Sequence, residues 1–151
     1  MANTYSQIYI QIVFAVKGRL NLIRKENEDE LFKYITGIIR NKKQKLIAIN
    51  GMPDHIHILI GLKPNICLSD LVRDIKANSS KFINEKRWFI GKFVWQEGFG
   101  AFSYSKSQID SVINYIKNQK LHHKKKSFKE EYIKFLTAFG IDYDERYIFK
   151  P

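Results

Sequence analysis

The sequence predicts an α+β fold, because segments with strand periodicity and segments with helix periodicity follow one another along its 151 residues. Their order is strand, helix, strand, strand, helix, strand, helix, helix. The first six elements match the β-α-β-β-α-β pattern of a ferredoxin-like (RRM-like) sandwich. This pattern predicts a four-stranded antiparallel sheet with two helices on one face, an open second face, and C-terminal helices that follow the sheet.

The first half of the chain supplies three of the four strands. Apolar and polar residues alternate over 5–16, which predicts the first strand. The acidic residues of 26–30 suit the positive end of a helix that runs to about residue 45. A short strand over 46–50, a turn and a second strand over 55–61 then form a predicted hairpin.

The second half adds two long helices around an aromatic strand. Ser69 is predicted to cap the first of them, and the aromatic stretch 93–104 is predicted to be the fourth strand. A capping box, formed by Ser105 with Gln108 or by Ser107 with Asp110, begins a helix that runs to about Leu121. A last short helix is predicted over 127–139.

The composition favours a polyanionic partner. The chain is 44% hydrophobic and 14% aromatic, which argues against disorder and suits a single domain over residues 1–151. We place its core at about 4–105, a helix at about 106–122 and a final helix and tail at about 127–151. The net charge of +11 favours nucleic acid first and an anionic membrane surface second, although many soluble proteins are simply basic.

Cysteine usage and hydropathy indicate where the protein acts. Cys67 is the single cysteine, so no disulfide can form within the chain, which fits a reducing compartment. No apolar run resembles a secretory leader or is long enough to span a bilayer. We therefore expect an intracellular, cytoplasmic protein without a membrane segment.

The predicted strand 55–61 carries the first chemical signal. Side chains alternate along a strand, so His55 and His57 lie side by side on the face opposite the isoleucines. Two neutral imidazoles in this position can hold one metal ion. A closed structural zinc site is disfavoured by the single cysteine, so the site would be open and catalytic. The alternative is a pair of solvated histidines, which is common by chance.

The predicted helix 106–122 carries the second signal. Tyr115 and Gln119 are four residues apart, so they lie one above the other beside the apolar stripe of Ile109, Val112, Ile113 and Ile116. If this helix crosses the open face of the sheet, Gln119 adds an oxygen ligand to the histidines, which favours Mg²⁺ or Mn²⁺. Tyr115 could then attack a phosphodiester that the ion polarises. Alternatively, Tyr115 is an ordinary half-buried aromatic residue and Gln119 is solvated.

Together these motifs resemble the single-tyrosine HUH transposases of small bacterial insertion sequences and the related REP-associated tyrosine transposases. His55-Ile56-His57 resembles the histidine–hydrophobic–histidine signature of these nucleases, and the segment from Tyr115 to Gln119 resembles their catalytic helix. Similar segments cover most of the chain and lie at 13–17, 52–57, 74–81 and 95–102. Neither motif is specific alone, whereas their combination in this order is.

The resemblance implies a transposase that cleaves and rejoins single-stranded DNA near hairpins at element ends, through a 5′-phosphotyrosine intermediate and without ATP. By position, Tyr115 would be the nucleophile, and His55, His57 and Gln119 would bind the Mg²⁺ or Mn²⁺ ion. The resemblance also implies a bacterial protein and a homodimer, in which the tyrosine helix of one subunit can serve the histidines of the other.

Two other functions stay open on the sequence. One is a non-catalytic, single-stranded DNA- or RNA-binding protein of ferredoxin-like fold, which would use basic and aromatic residues of its sheet. The other is a metallonuclease that uses water and forms no covalent adduct. In each case, the basic residues that we expect to contact DNA are Arg19, Arg73, Lys76, Lys81, Lys124 and Lys125.

Overall fold

Four antiparallel strands in the order β2-β3-β1-β4 form the centre of the fold. The computed structural model describes residues 4–123, 126–144 and 146. The strands are β1 (Tyr9–Ala15), β2 (Lys45–Met52), β3 (His55–Gly61) and β4 (Gly100–Tyr104). This arrangement, with β1 and β3 as central neighbours, confirms the predicted α+β, ferredoxin-like architecture.

Helices lie on both faces of this sheet. Helices α1 (Lys25–Asn41) and α2 (Leu68–Lys86) follow β1 and β3 along the chain. Three shorter helices follow β4, namely α3 (Ile109–Lys117), α4 (Gln119–His122) and α5 (Phe128–Ala138). Within the described residues, no helix combines the length and the apolar character that crossing a bilayer requires.

Side chains of the sheet alternate between two hydrophobic cores. One face packs against α1 and α2, with Ile56 and Ile58 of β3 at its centre. On the other face, Leu59 packs against Val112 and Ile116 of α3, and the β1 and β4 side chains pack against α5. The expectation of an open second face is therefore wrong, because the three C-terminal helices cover it.

Two of the strands are shorter than their sequence patterns predict. The predicted strand 5–16 begins only at Tyr9, and Tyr5 is 92% exposed. The predicted strand 93–104 begins only at Gly100, because Gly98 has a φ of +81° and turns the chain just before it. Residues 93–96 instead form a loop that fills the first core with Phe93 and Trp95.

The helix ends also differ from the prediction at two positions. The N-cap of α2 is Cys67 rather than Ser69, whose Oγ lies 3.1 Å from the Cys67 sulfur. The predicted continuous helix 106–122 is interrupted at Asn118, which separates α3 from α4. The capping box of Ser105 with Gln108 is confirmed, at the head of a short 3₁₀ turn that leads into α3.

We expect Gly51→Ala to disrupt the tight β2–β3 hairpin. A Cβ at Gly51 would lie 2.4 Å from the backbone oxygen of His55 and 3.0 Å from Cα of Ile56. Because backbone atoms cannot rotate away, the free energy of unfolding should fall by about 1–3 kcal/mol, measured by urea denaturation. In the control Gly37→Ala in α1, the new Cβ has no neighbour within 4 Å, and stability should rise by about 0.5–1 kcal/mol. Unchanged stability of Gly51→Ala would contradict this packing.

Candidate active site

The two histidines of β3 are fully buried next to each other. Both His55 and His57 are 0% exposed, and their ring centroids lie 5.2 Å apart. Nδ1 of His55 donates to Oδ1 of Asp54 at 2.7 Å, a contact that fixes the orientation of the ring. Because buried polar atoms need hydrogen-bonding partners, the Nε2 atoms of both rings depend on the helices that cover this face.

Glu131 of α5 supplies the main partner. It is 3% exposed, and its Oε1 lies 3.0 Å from Nε2 of His57 and 3.0 Å from Nε2 of His123. Nε2 of His55 lies 3.4 Å from the same oxygen. One carboxylate oxygen therefore lies at the point where three imidazole rings converge.

The other oxygen of Glu131 contacts the tyrosine and glutamine that the sequence singles out. Oε2 accepts a hydrogen bond from the phenol of Tyr115 and another from Nε2 of Gln119 at 3.1 Å. Oε1 of Gln119 points the opposite way and lies 3.3 Å from Nε2 of His55. Glu131 thus connects β3, α3, α4 and α5 in a single polar cluster.

The protonation of this cluster follows from burial and from close charges. Burial alone raises the pKa of the Glu131 carboxyl, but hydrogen bonds from His123, His55 and His57 outweigh it and hold that pKa well below its usual range. Burial lowers the pKa of His57. Burial, followed by the hydrogen bond and negative charge of Glu131, raises the pKa of Tyr115 well above its usual range. The phenol is therefore neutral near pH 7, while Glu131 is ionised.

The break between α3 and α4 positions Tyr115 and Gln119. Asn50 of β2, which pairs with His57 across the sheet, donates through Nδ2 to the backbone oxygen of Ile116 at 2.9 Å. From the other side of the break, Nζ of Lys120 donates to the backbone oxygen of Gly51 at 2.6 Å. These contacts tie both helix ends to the hairpin that carries the histidines.

The donor set fits a divalent cation. One ligand atom from each of His55, His57, His123 and Glu131 lies within 4.8 Å of the others. Nε2 of His55 also faces two oxygen atoms, on Gln119 and Glu131, and neither oxygen can donate a hydrogen bond. Only a proton or a cation between these atoms can interact favourably with Nε2 and with both oxygens. Imidazole, carboxylate and amide groups are together suited to Mn²⁺, Mg²⁺ or Zn²⁺.

The structure brings together all four residues that the sequence selects as nucleophile and metal ligands. The Tyr115 ring lies 6.0 Å from that of His57, and the side chain of Gln119 is fully buried beside His55. His122, which continues the edge of the tyrosine helix, stacks on Tyr115 at 4.5 Å between ring centroids. The structure therefore shows that these side chains lie close together, which their spacing in the sequence does not establish.

Sequence reasoning missed Glu131 and His123. A signal for Glu131 is present, because it lies three residues after Phe128 and four before Phe135, on the apolar stripe of its helix. A carboxylate in such a stripe is informative, since acidic residues are rarely buried without a partner. His123 offers no comparable signal, because it follows the short helix α4.

The predicted DNA-contacting residues are not gathered at this site. Arg73, Lys76 and Lys81 belong to α2, which packs on the opposite face of the sheet. Lys76 donates to the backbone oxygens of Gln96 and Gly98 at 2.6 and 2.8 Å, so it has a structural role. Arg19 lies in an exposed 3₁₀ turn. The other two, Lys124 and Lys125, lie outside the described residues.

We expect Glu131→Gln to destabilise the protein in the presence of a chelator. The amide cannot replace a carboxylate that accepts from imidazole and phenol groups at once, so the free energy of unfolding should fall by about 3 kcal/mol. Urea denaturation measures this loss. The control is the neighbouring exposed Glu130→Gln, which should change stability by less than about 0.5 kcal/mol. Equal effects of the two variants would show that the cluster does not stabilise the fold.

Comparisons with known proteins identify the family of the chain. A family model described as "Transposase IS200 like" matches residues 4–119. ISDra2 transposase TnpA of Deinococcus radiodurans is 24% identical over 120 residues, which cover 75% of this chain and 84% of the relative. The match to the family model ends at Gln119, so Glu131 lies beyond it.

Two solved structures share the fold. A protein of Deinococcus radiodurans R1, described as a candidate transposase, superposes with a TM-score of 0.63 at 22% identity, over 79% of this chain and 95% of that one. A REP-associated tyrosine transposase bound to a REP hairpin superposes with a TM-score of 0.62 at 16% identity, over 82% of this chain and 73% of that one. Since the family model covers well over half of the sequence, the chain belongs to the IS200-like transposase family, whose members are DNA-processing enzymes.

Proposed function

We propose that this transposase cleaves and rejoins single-stranded DNA at hairpin-bearing element ends, through a 5′-phosphotyrosine intermediate. The observation that carries the proposal is the convergence of the Tyr115 phenol, His55, His57 and Gln119 on one buried cluster. A binding protein without catalytic activity needs no such cluster, because buried imidazole and carboxylate groups destabilise a fold unless they are fully paired.

His55, His57 and Gln119 would hold the metal ion, and Glu131 and His123 lie close enough to join them. A divalent ion such as Mg²⁺ or Mn²⁺, when bound there, would polarise the scissile phosphate and offset its negative charge. The side chains have a second task, because Asp54 holds His55 in one orientation and Glu131 positions the nucleophile. The protein thereby arranges the reacting groups before DNA binds.

The chemical step requires Tyr115 to lose its proton as it attacks. Its raised pKa keeps the phenol neutral, so the proton must leave as the oxygen–phosphorus bond forms. Oε2 of Glu131 already accepts that hydrogen, so it is the atom placed to take the proton. The bond from phosphorus to the 3′-oxygen breaks, and the 3′-oxygen takes up a proton from water and departs as a 3′-hydroxyl. A second 3′-hydroxyl can reverse the reaction without ATP, because the phosphotyrosine bond conserves the energy.

The DNA partner and the assembly follow from the same considerations. The net charge of +11 suits a polyanion, and one structural relative is bound to a REP hairpin. We infer that Tyr115 serves the histidines of its own subunit, because the described chain already brings the ring centroids of Tyr115 and His57 to 6.0 Å. The homodimer stays a prediction of the family resemblance.

We expect Tyr115→Phe to abolish covalent attachment to DNA. The substrate is 3′-labelled single-stranded DNA carrying the hairpins that flank the gene, since a 5′-phosphotyrosine bond retains the strand on the 3′ side of the cut. A denaturing gel should show labelled wild-type protein and at least about a 10³-fold weaker band for the variant. Tyr34→Phe, on α1 across the sheet, should behave as wild type. An undiminished band from Tyr115→Phe would exclude Tyr115 as the nucleophile, and cleavage without any band would favour attack by water.

We expect adduct formation to stop in EDTA and to return with Mn²⁺ or Mg²⁺. His57→Ala removes one imidazole ligand, so the Mn²⁺ concentration that gives half-maximal adduct should rise by about 10- to 100-fold. Isothermal titration of Mn²⁺ into the DNA-free proteins checks the same loss independently of activity. Adduct formation that persists in EDTA, or identical Mn²⁺ titrations of wild type and His57→Ala, would contradict the proposed ligand set.

A further inference from the structure

A cavity of about 480 Å³ adjoins the tyrosine and has no role in the chemistry described above. It lies between the second face of the sheet, α3 and α5, and Tyr115 forms part of its wall. Its size falls within the usual range for small-ligand sites. Most of the exposed lining surface is apolar, and the polar groups that line the cavity include Gln11 and Tyr104 on the sheet and Glu131 of α5.

One end of the Gln11 amide lacks a hydrogen-bonding partner among the described residues. Gln11 is 0% exposed, and its Oε1 accepts from the hydroxyl of Tyr104 at 3.4 Å. Its Nε2 atom has no partner among the described residues. If the amide were rotated so that its oxygen and nitrogen exchanged places, the oxygen would lack a partner instead. In either orientation, therefore, one buried polar atom of Gln11 is unpaired. An unpaired buried amide is costly, which points to a partner that enters the cavity.

Aromatic rings form the opposite wall. Phe135 and Phe139 of the α5 end line the cavity and pack on Phe102 of β4, with ring centroids 5.0 and 4.9 Å from it. Phe139 is 39% exposed, so part of its ring is free to stack on a planar ligand. Stacking on aromatic side chains is the usual way in which proteins bind unpaired bases.

Two lysines place positive charge at the same cavity. Lys126 and Lys134 both belong to its lining, and contact with Lys126 lowers the pKa of Lys134. Neighbouring ammonium groups repel each other, and an anion between them relieves that repulsion. A phosphate therefore suits the lysines, and a planar, hydrogen-bonding group suits the interior.

We propose that this cavity binds an unpaired nucleobase of the DNA strand next to the scissile phosphate, with Gln11 contacting the edge of the base. This inference rests on the proposed function, because it takes Tyr115 as the group that the phosphate must reach. Phe135 and Phe139 provide the stacking surface, and Lys126 and Lys134 contact the backbone. Gln11 thereby determines which base is preferred beside the cut.

The test measures binding rather than cleavage, so it is independent of the chemical step. Fluorescence anisotropy in EDTA compares dA10, dT10, dC10 and an abasic strand of equal length. We expect the tightest-binding base to exceed the abasic strand by at least about 5-fold. In Gln11→Met, the ratio of the Kd values for the weakest- and tightest-binding strands should fall by about 3- to 10-fold, the effect of one lost hydrogen bond. Gln44→Met is the matched control, because Gln44 is also buried (4% exposed) but does not line the cavity.

Folding and activity are separated by two further measurements. Gln11→Met removes a buried amide whose Nε2 is unpaired and loses only the long 3.4 Å contact with Tyr104, so its Tm should be no lower than that of wild type. Ser111→Trp fills the cavity from the exposed side of α3, and it should bring every base-bearing strand close to the abasic strand even if Gln11→Met does not fold. The proposal would be overturned if both variants kept the base preference of the wild type. It would also be overturned if the wild-type protein bound the abasic strand as tightly as the base-bearing strands. If no covalent adduct formed but the base preference still depended on Gln11, only the proposed chemistry would be overturned and the base-binding cavity would stand.

Discussion

The burial of β3 on both faces is the constraint on which the site depends. Ile56 and Ile58 fill one core, and the alternation of the strand then forces His55 and His57 into the other. Imidazole groups that are 0% exposed must be paired, or they destabilise the fold. The ionised Glu131 and the amide of Gln119 meet this need at the Nε2 atoms, and Asp54 meets it at Nδ1 of His55. Nδ1 of His57 has no partner among the described residues. The requirements of folding and of chemistry therefore coincide in the same few contacts.

The position of Tyr115 depends more on contacts between its helix and the sheet than on the helix itself. Asn50 is the cross-strand neighbour of His57 and also holds the backbone end of α3, while Lys120 fastens the start of α4 to the same hairpin. An uninterrupted helix would keep Tyr115 and Gln119 stacked one above the other. The break at Asn118 instead lets both side chains contact the Glu131 carboxylate.

Local periodicity predicted four strands in the right order, although β1 and β4 begin later than predicted, and the family resemblance then selected the four residues that meet beside the sheet. The alternation around His55 assigned the faces of β3 correctly. The spacing of Tyr115 and Gln119 placed both on one continuous helix, whereas Asn118 separates α3 from α4. The open second face was wrong, because the docking of α5 depends on contacts such as that between His57 and Glu131, which are 74 residues apart. Lys76 shows the converse limit, since its charge suggested DNA but its ammonium group binds backbone oxygens.

The segment after Gln119 gives Tyr115 two unlike surroundings. Residues 4–119 match the family model, whereas α5 lies beyond them and contributes both Glu131 and Phe135. On one side of Tyr115, the carboxylate engages the phenol hydrogen; on the other, the apolar cavity extends to the unpaired amide of Gln11. A water-filled cleft would satisfy that amide and would also hydrolyse a phosphotyrosine bond. A stacked base that filled this cavity, as proposed, would exclude water, which would favour rejoining of the strand over hydrolysis.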